Sequence, residues 1–122
     1  MKTVKIEVVS DTKNDGYYEV FTRIYSGTYD NTLGTCTVHV HENGVAEIYK
    51  IQIHRESHRR KHYGTKLWKF VETYILKKYK PNRFTSELDF SNVSAIKFWK
   101  NQNFQLLHKE SDYGTIIKET NY

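Results

Sequence analysis

The sequence predicts an α+β domain, a mixed sheet flanked by helices, with the segment order β-β-β-β-α-β-α-β-β. Three observations carry that prediction. Four runs before residue 54 are rich in Val, Ile, Thr and Tyr and are built to lie half-buried in a sheet. Leu67, Phe70, Val71, Tyr74 and Ile75 then fall at i, i+3, i+4, i+7 and i+8, one face of a helix. Ala95, Phe98 and Trp99 repeat the helical spacing behind a capping Ser91 or Asn92.

Residues 3–9 alternate apolar and polar and form a first strand, followed by a polar turn over 10–16. Residues 17–26 form a second strand. Tyr18, Val20, Thr22 and Ile24 share one face of it; Tyr17, Glu19, Phe21, Arg23 and Tyr25 share the other. A loop over 27–34 leads to a third strand at 35–41. Glu42-Asn43-Gly44 then makes a hairpin turn, because Asn-Gly tolerates the positive φ that such turns need. The fourth strand is 45–53, a loop covers 54–61, and the first helix runs from about 63 to 78. Pro81 disfavours helix at the residue before it and ends that element. A fifth strand at 84–90 precedes the second helix. Strands at 105–109 and 113–119 close the chain around a turn at 111–114. Residues 10–26 show no helical period, and the chain contains no internal repeat.

At 122 residues the whole of 1–122 reads as one domain. A hydrophobic content of 38% with 15% aromatic residues fits a folded core and excludes a disordered chain. No apolar stretch is long enough to cross a bilayer and the N-terminus lacks an apolar leader, so the expectation is a soluble, cytoplasmic protein without a membrane partner. The lone Cys36 has no internal disulfide partner, which suits a reducing compartment. It reads as a small buried apolar residue.

The net charge of +5 raises the question of nucleic acid, but the cations are spread along the chain. The densest group is Arg59-Arg60-Lys61, continued by His62-Tyr63-Gly64-Thr65, between the fourth strand and the first helix. A loop there directs backbone N–H groups and the positive end of the helix dipole at one spot. Its natural occupant is a phosphate-bearing ligand, although charge runs of this kind also serve as solvated turns. His54, His58 and His62 are spaced by four, as metal ligands on a helix would be; the Arg-Arg-Lys cluster between them repels a cation, so no metal site is expected. His39 and His41 share a face of the third strand and read as surface residues.

Arg59-x-x-His62-x-Gly64 followed by Thr65-Lys66-Leu67 resembles the Gln/Arg-x-x-Gly-x-Gly/Ala acetyl-CoA loop of the GNAT N-acetyltransferases. A second block in the right order, Asn92-x-x-Ala95-x-x-Phe98-Trp99-x-x-x-x-Phe104, is similar to that family's Asn-x-x-Ala-x-x-Phe-Tyr-x-x-x-Gly-Phe helix. The resemblance implies the GNAT fold, a mostly antiparallel sheet splayed between strands 4 and 5. The family usually places two helices between the first two strands; with no helical period over 10–26 and too few residues there to hold them, they are reduced or absent here. Their loss would leave the acceptor cleft open, or closed by a second subunit in a homodimer.

The resemblance further implies transfer of an acetyl group from acetyl-CoA to a primary amine, by direct attack in a ternary complex. Ile51 and Ile53 would hydrogen-bond the pantetheine arm. Arg59, Arg60, Lys61, His62, Tyr63, Gly64 and Thr65 would hold the diphosphate, while Asn92 and Trp99 would meet the pantetheine; Asn92 is equally a plain helix cap. Val45-Ala46-Glu47-Ile48, ahead of the basic loop, is similar to the strand that carries the catalytic glutamate in histone-type GNAT enzymes, which makes Glu47 the candidate general base; a carboxylate facing an apolar cleft would be shifted towards accepting a proton near neutral pH. It is as readily a solvent-facing strand residue, and Glu87 and Asp89 are the reserves.

Two positions depart from the family pattern. His62 replaces the first loop glycine, keeping the N–H but adding bulk. Trp99 replaces the tyrosine that acts as general acid, and an indole N–H cannot supply that proton; the role is vacant, or filled by Tyr49, Tyr63 or water. These departures motivate an alternative: a GNAT-fold CoA-binding module with weak turnover or none. Acceptors in the family range from proteins to small molecules, and the segment that selects among them is the one missing here.

Overall fold

The computed structural model describes residues 4–28, 31–54, 62–110 and 113–122. Its elements are β1 Val4–Lys13, β2 Tyr17–Ser26, β3 Asn31–His41, β4 Val45–Ile53, α1 Tyr63–Tyr79, β5 Arg83–Asp89, α2 Val93–Asn101, β6 Gln105–Glu110 and β7 Tyr113–Glu119. The strands form one mixed sheet in the order β1-β2-β3-β4-β5-β7-β6. Only β4 and β5 run parallel, joined through α1; every other pair is antiparallel. The α+β class and the mixed, mostly antiparallel sheet are as the sequence predicts.

The alternation written into β2 decides what the sheet buries. Val20, Thr22 and Ile24 are sealed, as are Cys36, Val38 and Val40 on β3 and Ala46 and Ile48 on β4. Against this face lie Leu67, Trp68, Val71 and Ile75 of α1. Trp68 is the hub, with edge-to-face contacts to Phe84 at 5.3 Å and to Trp99 of α2 at 5.2 Å. Trp99 in turn packs on Phe104 at 4.9 Å. Such aromatic pairs add to the burial energy of the core. Among the described residues no helix lies between β1 and β2, and none covers the other face of β2–β4.

Two boundaries differ from expectation by more than a residue, and one helix face also differs, each for a local reason. The run over 10–16 is not all turn: β1 continues to Lys13, because Val9 is extruded in a bulge. Val8 pairs with Thr22 and Ser10 with Phe21, leaving Val9 half-exposed. That extra residue reverses the alternation and turns Asp11, opposite Val20, towards α1. There the hydroxyls of Tyr74 and Tyr79 and the ammonium of Lys78 all donate to its carboxylate. Second, β3 begins at Asn31 instead of residue 35, since another irregularity opposite Ile24 and Tyr25 lets Gly34 and Thr32 pair. Third, the buried stripe of α1 is rotated from the predicted one: Trp68 is sealed while Phe70 is exposed.

Candidate functional site

The first part of the site is a gap in the sheet. Strands β4 and β5 pair only through Val45 with Arg83, Ala46 with Phe84, and Glu47 with Thr85. Beyond that point residues 48–53 of β4 and 86–89 of β5 diverge, and the Ser86 hydroxyl, donating to the Ile48 carbonyl at 3.0 Å, is the last link across. The fork begins where β4 changes register: Val38 pairs with Ile48 but Thr37 with Lys50, so Tyr49 is an inserted residue. The bulge bends β4 away from β5 while its other edge stays bonded to β3 as far as Ile53. Backbone groups on the β5-facing edge of 49–53 therefore have no strand partner among the described residues. Ile51 and Ile53 lie on this stretch.

The second part is the start of α1. His62 is its N-cap, with φ 60° and ψ 28° in the left-handed region, and its side chain makes no capping bond. No acidic residue occupies the first turn. The first turn of any helix has N–H groups without intrahelical acceptors, and with no carboxylate in that turn and no side-chain cap from His62 this end suits an anion. Tyr63 buries its ring, and Gly64 and Thr65 are half-buried. Arg59, Arg60 and Lys61 lie outside the described residues, as does His58.

The two parts meet. A Cβ built on Gly64 would lie 3.5 Å from a Phe98 ring carbon and 3.7 Å from Ile53 Cγ1, so the open end of the fork, the helix start and α2 converge. Phe98 is the ring at this junction, and it was not among the predicted site residues; its place in the second sequence block was the available signal. Trp99, one residue on, is only 4% exposed and faces the aromatic core. Asn92 sits at the other lip, where its Oδ1 accepts from Ala95 N–H at 3.1 Å and caps α2. Its Nδ2 remains able to donate.

Glu47 stands at the crotch of the fork on the face without a helix. Its Oε1 lies 3.2 Å from His41 Nε2 and 4.0 Å from His39 Nδ1. His39 Nε2 is 3.1 Å from Glu19 Oε2, and the His39 ring is held between Tyr17 and Tyr49, each with its centroid 4.7 Å away. Of the reserve carboxylates, Glu87 is exposed on β5. Asp89 accepts from the Ser91 backbone N–H at 2.9 Å and its hydroxyl at 2.8 Å, and these bonds hold its carboxyl below the usual range. Asp89 is a turn residue and a weaker base for it. Burial pushes the Cys36 thiol up to about 12, which leaves it unreactive. Among the described residues no group of three or more potential ligands could hold a metal ion, and no helix is long and apolar enough to cross a membrane.

No curated protein matches the chain in sequence. Solved structures match its fold. It superposes on PaiA N-acetyltransferase from Thermoplasma acidophilum, solved in complex with coenzyme A, with a TM-score of 0.74 at 16% identity, over 84% of this chain and 61% of that one. The N-acetyltransferase PseH of Campylobacter jejuni matches with a TM-score of 0.69 at 12% identity, over 84% of this chain and 69% of the other. A domain from Methanocaldococcus jannaschii matches end to end, 98% against 100%, with a TM-score of 0.76 and 13% identity. The present chain thus spans less than two thirds of the Thermoplasma enzyme and all of the Methanocaldococcus domain. A forked β4–β5 pair leading to an uncapped helix start agrees with the sequence-family model, which matches residues 7–104. The chain belongs to the acetyltransferase (GNAT) family.

Proposed function

We propose that this protein is an acetyl-CoA-dependent N-acetyltransferase acting on a primary amine. The observation that carries the proposal is the fork between β4 and β5, which opens beyond Glu47 and Thr85 and points towards the bare N-terminus of α1. In this reading the unpaired edge of β4 at Ile51 and Ile53 takes the pantetheine amides as an added strand would. The backbone at His62, Tyr63, Gly64 and Thr65 takes the diphosphate, helped by Arg59, Arg60 and Lys61. Asn92 donates through Nδ2 from the opposite lip. Trp99 contributes by bracing Phe98, its 4.8 Å neighbour, rather than by direct contact.

The cosubstrate supplies an activated thioester, and the chain supplies position and a base. Glu47 takes a proton from the acceptor nitrogen, which approaches over the open face of β2–β4. No acid is needed for the leaving group, because a thiolate departs readily. Trp99 could not serve as one and the Tyr63 side chain is buried. The acceptor is an amine, on a small molecule or a protein. Release of free CoA thiol over a panel of amines (lysine peptides, N-terminal peptides, polyamines and aminoglycosides) tests this. Turnover with at least one, cut by about 10²–10⁴-fold in Glu47→Gln, is the expected outcome.

His62 in a strained backbone and the buried Trp99 favour a second reading, a CoA-binding module without turnover. It predicts acetyl-CoA binding with no thiol released above the spontaneous rate on any amine.

A further inference from the structure

We propose that His39 and His41 carry the acceptor's proton away from Glu47, so that turnover depends on imidazole as well as on the carboxylate. The inference rests on the reading of Glu47 as the general base. Two imidazoles converge on one oxygen of that residue: His41 Nε2 at 3.2 Å and His39 Nδ1 at 4.0 Å, both from Glu47 Oε1. The 4.0 Å gap is closed by one water or a small turn of the carboxylate. His39 is then continued on its far side by Glu19, 3.1 Å from Nε2. Glu47 and Glu19 come from β4 and β2, and His39 from β3 between them, so the line crosses three strands.

The placement is more than strand packing needs. The His39 side chain is only 13% exposed, and its ring is gripped between Tyr17 of β2 and Tyr49 of β4, which fixes both nitrogens towards carboxylates. His41 is 35% exposed and reaches solvent. The groups facing this pair are Tyr17 and Glu19 on β2 and Glu47 and Tyr49 on β4; Lys50, opposite Thr37, is the next charge along. Tyr49 belongs to the bulge that opens the fork, so the same irregularity that frees the β4 edge also clamps His39 beside the base.

The proton balance is simple. The acceptor N–H bond breaks and the proton joins Glu47. It then passes to an imidazole nitrogen carrying a lone pair, while the other ring nitrogen releases its proton. From His39 that proton goes to Glu19 and on from that carboxyl to water; from His41 it goes directly to water. Proton exchange with water then restores the starting tautomer. The carboxylate is regenerated for the next acceptor, and the net change is one proton delivered to solvent.

The test compares the wild-type chain with His39→Gln, His41→Gln and the double variant. It records kcat against pH, acetyl-CoA binding by calorimetry, and the response to added imidazole. The double variant should bind acetyl-CoA as the wild type does and lose at least about 10-fold in kcat. It should also change the shape of the kcat–pH profile relative to the wild type and recover rate when imidazole is added. An unchanged profile with no response to imidazole would overturn the relay and leave the transferase reading standing. If the wild type itself turns over no amine, the transferase reading falls first and the relay falls with it. A variant that fails to bind acetyl-CoA is replaced by His→Asn at the same position, and the same criteria are applied.

Discussion

His62 holds a left-handed backbone at φ 60° in a residue that carries a Cβ. That conformation costs about 1–2 kcal/mol for a non-glycine residue, and glycine returns about 0.5–1 kcal/mol of it as unfolded-state entropy. His62→Gly should therefore raise stability by up to about 1 kcal/mol in urea denaturation, without loss of acetyl-CoA affinity. A fall in affinity would mean that the imidazole itself holds the ligand. Glu47→Gln should reduce kcat by about 10²–10⁴-fold with acetyl-CoA binding retained. For Asp11, burial pushes the pKa up, but hydrogen bonds from Lys78, Tyr74 and Tyr79 outweigh it and hold the carboxyl below its usual value. Because the folded pKa is depressed, the stabilisation is present above the unfolded value and is lost as pH falls through the folded one. Asp11→Asn should cost about 1–3 kcal/mol at neutral pH. The gap from wild type should close in denaturation curves taken at pH values below the usual carboxylate range.

The bounds of β2, β4 and β7 were legible at once: each begins and ends where the sequence predicts. What sequence periodicity misses are the insertions. A bulge at Val9 conceals that Asp11 belongs to a strand, and the one at Tyr49 conceals that β4 has two differently aimed halves. Neither carries a local signal, because a bulge is fixed by the partner strand. The stripe on α1 was misjudged by one position since Trp68 and Phe70 are both large and apolar, and only the sheet beneath decides between them. Gly34 illustrates the close approach of β3 and β4. A Cβ there would come within 2.6 Å of Ile53 Cδ1 and 2.8 Å of the Gln52 carbonyl oxygen. Gly34→Ala should cost about 1–3 kcal/mol, read as a lowered urea midpoint, and should disturb the fork through Ile53.

At the scale of the molecule, the two sequence blocks lead to the same place: the loop block starts α1, and the second block builds α2 against it through Phe98 and Trp99. That much of the candidate site could be read from motif and order. The Glu47–His39–Glu19 line, with His41 on the same Glu47 oxygen, could not, since it exists only once the registers of β2, β3 and β4 are set. The sheet face that carries it is without a covering helix among the described residues. The account stands on the fork and the helix start forming one binding site for acetyl-CoA, and calorimetric titration of the full chain tests that most directly. One-to-one binding with a Kd between about 1 µM and 1 mM is the predicted result. An absence of binding heat at millimolar acetyl-CoA would contradict it.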